Sequence, residues 1–273
     1  EAREILVKYL REQGLLEKKE QIEQNIPKAQ RSGGIIEPLP KRHQFFVNVN
    51  KPTPRGGKTI KELLQEVIIK DKIKILPERF ENVYLNWIDN LRDWGISRQI
   101  WYGIRLPVWY KPPAPLGDDL EYKVSKTSPG KAWEQFSDTL DTWFSSGLWT
   151  FSTLGWPKET QDLKTFHPTD VLETGYDILF FWVARMILMS QVLLGDIPFR
   201  TVYLHGLVRD EKNRKISKSL GNNIDPLDMI SLYGTDAVRM SMIIGTSVGN
   251  DSKVSLEKFK AYKHFANKVW NIA

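Results

Sequence analysis

Two lysines and two serines stand together in one polar stretch, Lys215-Ile216-Ser217-Lys218-Ser219. A lysine ammonium is a mobile point charge on a long stem, so it can follow a phosphate whose charge moves during a reaction. One such contact at about 4 Å, with an effective dielectric constant near 20, is worth roughly 4 kcal/mol before desolvation is subtracted. Contacts of this kind that form only in the transition state raise a rate by orders of magnitude. The stretch therefore predicts a polyphosphate-binding loop, and a solvated basic loop is the alternative.

The elements around this stretch predict that it lies at the rim of a parallel sheet. Residues 169–174 and 201–207 have the composition of strands, and the apolar run 178–194 between them is typical of a buried helix. A strand, a helix and a strand within about forty residues form a βαβ unit with parallel strands. Because ligands of such sheets bind at the carboxyl ends of the strands, Asp177, His205 and Gly206 should share a rim with the lysines.

Composition limits the function only loosely. The 273 residues suffice for one large domain or two modest ones, and the formal charge of +6 fits a polyanionic partner or plain solubility. The chain has no cysteine, which excludes disulfides and thiolate zinc sites. No signal peptide is visible, and the apolar run 178–194 carries Arg185 in its middle, so we expect a core helix and no membrane partner. The chain begins and ends within helical patterns, so we expect a fragment of a longer polypeptide.

The lysine stretch resembles the Lys-Met-Ser-Lys-Ser signature of class I aminoacyl-tRNA synthetases, with Ile216 in place of the usual Met. Four longer stretches resemble the valine-specific members of that class in the same order along the chain: residues 93–99, 141–146, 152–157 and 173–182. The family usually has Cys where Gly95 stands and His where Ile104 stands, so the chain departs from the family pattern at these two positions.

The resemblance implies a fold and a domain order. The fold is expected to be α/β: the second half of a Rossmann-type parallel sheet, preceded by the end of an α+β insertion and followed by a helical segment. In this reading residues 1–90 are the end of the inserted editing domain and the return to the core, and 91–136 are a connective region. Residues 137–226 are the second half of the nucleotide-binding fold, 227–258 contact the tRNA stem, and 259–273 begin the anticodon-binding helical bundle.

The resemblance also implies the reaction and the residues that serve it. A full-length cytoplasmic, monomeric enzyme would use ATP with Mg²⁺ to convert valine into valyl-adenylate and then charge tRNA(Val), with no dedicated metal site on the protein. The expected catalytic residues are Lys215 and Lys218, and the expected ATP-binding residues are His205, Gly206, Lys215, Ser217, Lys218 and Ser219. Trp143, Asp177 and Ile178 would bind the amino acid, and Arg98, Trp101 and Arg105 would contact tRNA. Structural alternatives remain for several of them: Trp143 as a core residue, Asp177 as a helix cap, His205 as a structural histidine, and aromatic packing around Arg98 and Arg105.

One expected element is missing from the sequence. Class I synthetases also use a His-x-Gly-His sequence, and none of the four histidines here stands in such a pattern. We therefore expect that these 273 residues alone do not activate valine. The resemblance places most of the editing domain upstream of this sequence, so we also expect that the chain alone does not edit. The alternative function is a non-catalytic tRNA-binding module that retains the synthetase scaffold.

Overall fold

The fold is described from a computed structural model, which describes residues 2–29, 32–37, 43–113, 120–217 and 220–273. The chain divides into two compact units, Glu1–His43 and Gln44–Ala273. The first unit contains one amphipathic helix and a turn in which Ala29 N donates to Gly34 O at 2.8 Å. The second unit contains the sheet and the candidate site.

In chain order the helices are α1 Ala2–Glu12, α2 Ile60–Ile69, α3 Arg79–Asp89, α4 Thr142–Ser146, α5 Trp149–Ser152, α6 Gln161–Phe166, α7 Ala184–Leu193, α8 Pro226–Tyr233, α9 Thr235–Ile243 and α10 Leu256–Ile272. The strands are β1 Phe46–Val47, β2 Lys74–Leu76, β3 Trp94–Gly95, β4 Ser97–Arg98, β5 Val108–Tyr110, β6 Tyr122–Val124, β7 Glu134–Gln135, β8 Thr139–Leu140, β9 Thr169–Gly175, β10 Phe199–His205, β11 Val208–Arg209 and β12 Ser252–Lys253.

A parallel sheet in the order β2-β10-β9 lies at the centre of the second unit. The central strand β10 buries Phe199, Val202 and Leu204, which belong to the main hydrophobic core. The prediction of a parallel βαβ unit is thus confirmed, and the sheet also includes β2 from much earlier in the chain. Strand β10 begins and ends two residues before the predicted 201–207. It ends at His205 because the next amides leave the ladder, and Leu207 N donates instead to the Asp251 carboxylate at 2.8 Å.

The apolar run after β9 is not one uniform helix. A 3₁₀ turn at Tyr176–Ile178 is followed by a π-helical turn at Leu179–Val183, and only then does α7 begin. All side chains from Ala184 to Gln191 are buried in α7, which packs against α2 and α5. By length and composition Tyr176–Leu193 is apolar enough to cross a membrane, but over half of it is buried inside the protein. The segment is part of the main hydrophobic core.

The local sequence of α2 determines both where the helix begins and which face it buries in the core. Thr59 is the N-cap, its side chain accepts from Glu62 N at 3.2 Å, and the Glu62 carboxylate accepts from Thr59 N at 2.7 Å. This reciprocal capping box satisfies two backbone donors at the helix start. The apolar face that follows, including Leu64 and Val67, is buried against α3 and α7. The sequence of residues 60–69 predicts a helix with these bounds, and the structure confirms it.

The Pro-, Gly- and Asp-rich composition of residues 112–130 predicts a surface connection, and the structure adds a strand to it. Tyr122–Val124 is exposed throughout and forms β6, the outer strand of an antiparallel sheet β6-β5-β7. Its partner β5 lies 12 to 16 residues earlier in the chain. One expectation is corrected: the sequence Gly234-Thr235-Asp236 suggests a Thr cap for α9, but the N-cap is Gly234 at φ +90°, which also ends α8. Because one glycine serves both helices, Thr235 already lies within α9 and its side chain makes no capping bond.

Candidate functional site

The carboxyl ends of β9 and β10 bring the predicted amino-acid acid and a loop lysine together. Asp177 lies two residues after β9, and its Oδ2 accepts from Lys215 Nζ at 2.7 Å. Gly175 at the end of β9 is opposite His205, and a Cβ placed on Gly175 would meet Asp177 Oδ1 at 2.8 Å and His205 Cε1 at 3.5 Å. Glycine at this position therefore leaves the space in which both polar groups face the rim. The predicted shared rim is present.

A cluster around Asp141 positions Trp143. Asp141 is the N-cap of α4: its Oδ1 accepts from Trp143 N at 2.9 Å, and its Oδ2 accepts from Trp94 Nε1 at 3.2 Å and from Arg98. The half-buried Trp143 ring stacks on Phe181 with ring centroids 5.9 Å apart. Phe181 belongs to the π-helical turn that begins directly after the half-buried Ile178. Trp143 thus stacks on the turn that directly follows Asp177 and Ile178.

His205 and Gly206 border a cleft of about 400 Å³ between the end of β10 and residues 242–252. The His205 ring is half exposed; its Nε2 lies 3.4 Å from Glu173 Oε1, and its Nδ1 lies 2.7 Å from Gly206 O. Gly206 faces protein backbone: a Cβ there would lie 1.8 Å from Asn250 O. The close approach that requires glycine is therefore made by residues 250–251. The ATP-binding roles of His205 and Gly206 stay predictions.

The lysine loop is closed at its base by Asp210 and Asn222. Asp210 accepts from Asn222 Nδ2 at 3.0 Å and from Arg214 N at 2.8 Å, and these bonds lower the pKa of Asp210 to about 2. Asn222 also donates to Lys215 O at 3.2 Å and accepts from Ser217 N at 2.9 Å. The side chain of Asn222 thus fixes the backbone of Lys215 and Ser217. Lys218 and Ser219, the other two predicted loop residues, lie outside the described residues.

Asp251 joins the loop base to the segment that carries Asp177. Its Oδ1 accepts from Leu207 N at 2.8 Å, and its Oδ2 accepts from Tyr176 Oη at 3.0 Å and from Arg209 Nε. Burial opposes ionisation of Asp251, but these donors outweigh it and lower its pKa, while the same ion pair raises the pKa of Arg209. Arg209 also donates to Asn213 O at 3.1 Å. The network therefore fixes Tyr176, the neighbour of Asp177, relative to the lysine loop.

The three predicted tRNA-contacting residues lie in different environments. Arg98 pairs with Asp141, and Arg105 donates to Phe136 O at 2.8 Å and Gln135 O at 2.9 Å. Trp101 is 98% exposed. An open cleft of about 430 Å³ is lined by Arg98, Arg185 and the segment 90–95, among others. The tRNA roles stay predictions, since Arg98 and Arg105 both have intramolecular partners.

Sequence reasoning missed Asp141, Arg209, Asn222 and Asp251, each of which positions a predicted site residue. Arg209 comes shortly after β10, at the carboxyl edge of the sheet, and this position could have identified it as a candidate site residue. The pairing with Asp251 spans 42 positions without periodicity, so no local pattern could reveal it. In the part of the chain that the structure describes, no group of three His, Cys, Asp or Glu side chains could hold a metal ion.

The fold defines a Rossmann-type α/β class with polar side chains at the carboxyl rim of its sheet, and comparison with known proteins gives its family. The family described as tRNA synthetases class I (I, L, M and V) matches residues 37–115 and 114–255, and the chain belongs to it. Its relatives include valine--tRNA ligases of Dehalococcoides mccartyi strain CBDB1 (50% identical, covering 98% of this chain) and Bacillus subtilis strain 168 (45% identical, covering 99%). The chain spans about 30% of the length of each.

Solved structures share the fold at lower identity. Mycobacterium tuberculosis methionyl-tRNA synthetase in complex with methionyl-adenylate superimposes with a TM-score of 0.55 at 22% identity, covering 74% of this chain and 35% of that one. LeuRS of Agrobacterium radiobacter K84, in a ternary complex with tRNA and LeuAMS, gives a TM-score of 0.53 at 24% identity and covers 66% of this chain and 28% of that one.

Proposed function

We propose that this chain is the part of a valine--tRNA ligase that carries the amino-acid acid and the lysine loop. The full-length protein would activate valine with ATP to form valyl-adenylate and transfer the valyl group to tRNA(Val). One observation carries the proposal: Asp177 and Lys215, to which the family resemblance gives the substrate ammonium and an ATP phosphate, meet at 2.7 Å on the carboxyl rim of a parallel sheet. The 45–50% identity to valine--tRNA ligases supports valine as the amino acid.

Each group at the rim would have one task in this reaction. The Asp177 carboxylate would accept the α-ammonium of valine, and the rings of Trp143 and Phe181 with Ile178 would form an apolar wall for the branched side chain. The valine carboxylate would attack the α-phosphorus of ATP and release pyrophosphate. Lys215 and Lys218 would neutralise the charge that builds up on the phosphates. Any Mg²⁺ would be held by the ATP phosphates, because the described residues offer no carboxylate cluster for it.

The test is valine-dependent exchange between pyrophosphate and ATP in a full-length polypeptide that carries this sequence. Asp177→Asn should raise the KM for valine at least about tenfold, because a charge-assisted bond to the substrate is lost. Lys218→Ala should lower the exchange rate far more than the valine affinity. Exchange driven by another amino acid would contradict the valine assignment, and tRNA binding without any exchange would favour the non-catalytic tRNA-binding module.

A further inference from the structure

The first turn of α3 reaches the segment that fastens the lysine loop. Arg79 Nη2 donates to Gly249 O and to Asn250 Oδ1, both at 2.9 Å, across 170 and 171 positions of the chain. We propose that Arg79 is a positioning residue for the proposed reaction: it seats the segment 249–251, and that segment holds the loop that carries Lys215. The proposal rests on the proposed function and goes beyond it, because α3 carries none of the residues to which the resemblance gives a substrate.

The contact between Arg79 and residue 249 is close. Gly249 has φ +71°, and a Cβ added to it would lie 2.8 Å from Arg79 Nη2 and 2.8 Å from Pro77 Cγ. The Arg79 guanidinium also lies over the Phe80 ring, 5.1 Å from its centroid. A planar group with several donors can satisfy a carbonyl and an amide oxygen at once while one of its faces contacts an aromatic ring. The arginine therefore fixes both the distance and the direction of this segment.

A chain of contacts carries the position of this segment to the lysine loop. Asp251 accepts from Leu207 N at 2.8 Å and pairs with Arg209. Strand β12 follows directly and pairs with β11, which contains Arg209. Arg209 in turn forms a β-bridge with Lys215. A shift of residues 249–251 would therefore move the backbone of Lys215.

The residue after Arg79 supports the same junction from another direction. The Phe80 ring stacks on the Tyr176 ring, with centroids 5.7 Å apart and planes 21° apart. Tyr176 Oη donates to the Asp251 carboxylate at 3.0 Å. Arg79 and Phe80 thus reach Asp251 along two routes, one through the neighbouring residues 249–250 and one through Tyr176. The first turn of α3 therefore supports the place where the strand ends meet the lysine loop.

Loss of the Arg79 contact should affect the phosphate chemistry first. In the proposed function Lys215 neutralises charge on the ATP phosphates, and its backbone depends on residues 249–251. The Trp143 ring is held separately, because Asp141 caps its helix. A displaced loop should therefore lower the rate and raise the KM for ATP, while the KM for valine stays nearly constant. A general loss of stability would instead reduce the amount of active enzyme and leave both KM values unchanged.

The experiment measures valine-dependent exchange between pyrophosphate and ATP in variants of a full-length polypeptide that carries this sequence. Arg79→Met keeps an apolar stem over Phe80 but removes the donors. It should lower the maximal rate about tenfold and raise the KM for ATP about three- to tenfold, the size of one or two neutral hydrogen bonds. Arg79→Lys keeps a donor and should recover much of the rate. Arg200→Met is the matched control, because Arg200 is exposed near the amino end of β10 and pairs with the exposed Asp170.

A second measurement follows the seat of the loop without using activity. Ser252 N donates to Leu207 O and Val254 N donates to Arg209 O, both at 3.0 Å, so the hydrogen exchange of these two amides reports whether β12 is seated on β11. Both amides should exchange at least about threefold faster in Arg79→Met than in the wild type or in Arg200→Met. The amides of α7 should keep their exchange rates in all three proteins.

The outcomes separate the two proposals. If the wild type shows no valine-dependent pyrophosphate exchange, the proposed function fails and the inference that rests on it is overturned as well. If the wild type is active and Arg79→Met keeps its rate, or loses rate with an unchanged KM for ATP, only the inference is overturned. An equal rise of the KM for ATP in Arg200→Met would also overturn it, because the effect would then come from net charge rather than from the seat of residues 249–251.

Discussion

The Cα hydrogens of Gly206 face the backbone of the segment that contains Asn250. A Cβ at this position would lie 1.8 Å from Asn250 O and 2.6 Å from Asp251 N. The sequence suggested glycine here for close approach of a nucleotide. The structure explains the glycine by packing within the protein, because the backbone of residues 250–251 fills the space that a side chain at position 206 would need.

Gly206→Ala is expected to destabilise the fold by at least about 2 kcal/mol, because two backbone segments would have to move apart. The free energy of urea unfolding measures this. Gly34→Ala is the control: its Cβ would have only Ser32 Oγ nearby, at 3.4 Å, and it should change stability much less. Equal stability of the two variants would contradict the close packing of residues 206 and 250.

Asp210 makes the lysine loop sensitive to acid. The bonds from Asn222 and Arg214 lower the pKa of Asp210 from 3.8 to about 2. A carboxyl whose pKa is depressed by folding stabilises the fold above its unfolded pKa and loses that contribution as the pH falls through its folded pKa. The stabilisation by Asp210 should therefore be complete above about pH 5 and disappear between about pH 4 and pH 2.

The comparison of wild type with Asp210→Asn from pH 6 to pH 2 tests this. The wild type should be the more stable protein at pH 6, and the difference in unfolding free energy should shrink below pH 4. A difference that stays constant over this range would show that the Asp210 charge does not stabilise the loop base.

At the level of elements, α7 carries a cation into the core. Arg185 is only 7% exposed, and its guanidinium lies 3.9 Å from the ring centroid of Trp94 and 5.6 Å from that of Trp87. It has no hydrogen bond among the described residues. Burial lowers the pKa of Arg185 to about 10, so the group stays charged at neutral pH. The aliphatic part and the planar guanidinium of Arg185 therefore stabilise the core mainly by packing against the Trp rings.

If packing dominates, Arg185→Met should keep stability within about 1 kcal/mol of the wild type, while Arg185→Ala should cost about 2–4 kcal/mol through the cavity it leaves. Urea unfolding of both variants gives the values. A methionine variant as unstable as the alanine variant would mean instead that the charge, which faces Asp141, is required.

The elements differ in how well the sequence predicted them, and the reason is physical. Helix α2 and the strands β9 and β10 have local signals: a capping box, apolar periodicity and β-branched runs. The turns at Tyr176–Ile178 and Leu179–Val183 leave no such signal, since an apolar run looks the same in 3₁₀, π and α geometry. The sequence could place Asp177, His205 and Lys215 at one rim because the carboxyl ends of parallel strands converge there. It could not reveal the bonds of Asp251 to Tyr176, Leu207 and Arg209, because these contacts join residues far apart in the chain.

At the scale of the whole second unit, the central sheet ends in an exposed strand. Among the described residues β9 pairs only with β10, and Val171 in β9 is 60% exposed. An uncovered edge can pair with another chain. We therefore expect the 273-residue chain by itself to self-associate through β9.

Val171→Lys should reduce this association, because a charge on an edge strand opposes pairing. Sedimentation velocity over a concentration series measures it. Val83→Lys places the same charge at an exposed helical position of α3 and should have little effect. Equal effects of the two substitutions would point to net charge rather than to the edge of β9.

The position of Asp251 has a consequence for synthesis on the ribosome. Strand β10 and the loop lysine leave the exit tunnel before the carboxylate that fastens Leu207, Arg209 and Tyr176 to one another. Until residue 251 emerges, the nascent chain holds a sheet whose carboxyl edge lacks these contacts. The final rigidity of that edge is thus a late event in translation, set by an aspartate more than forty positions downstream of the strand it secures.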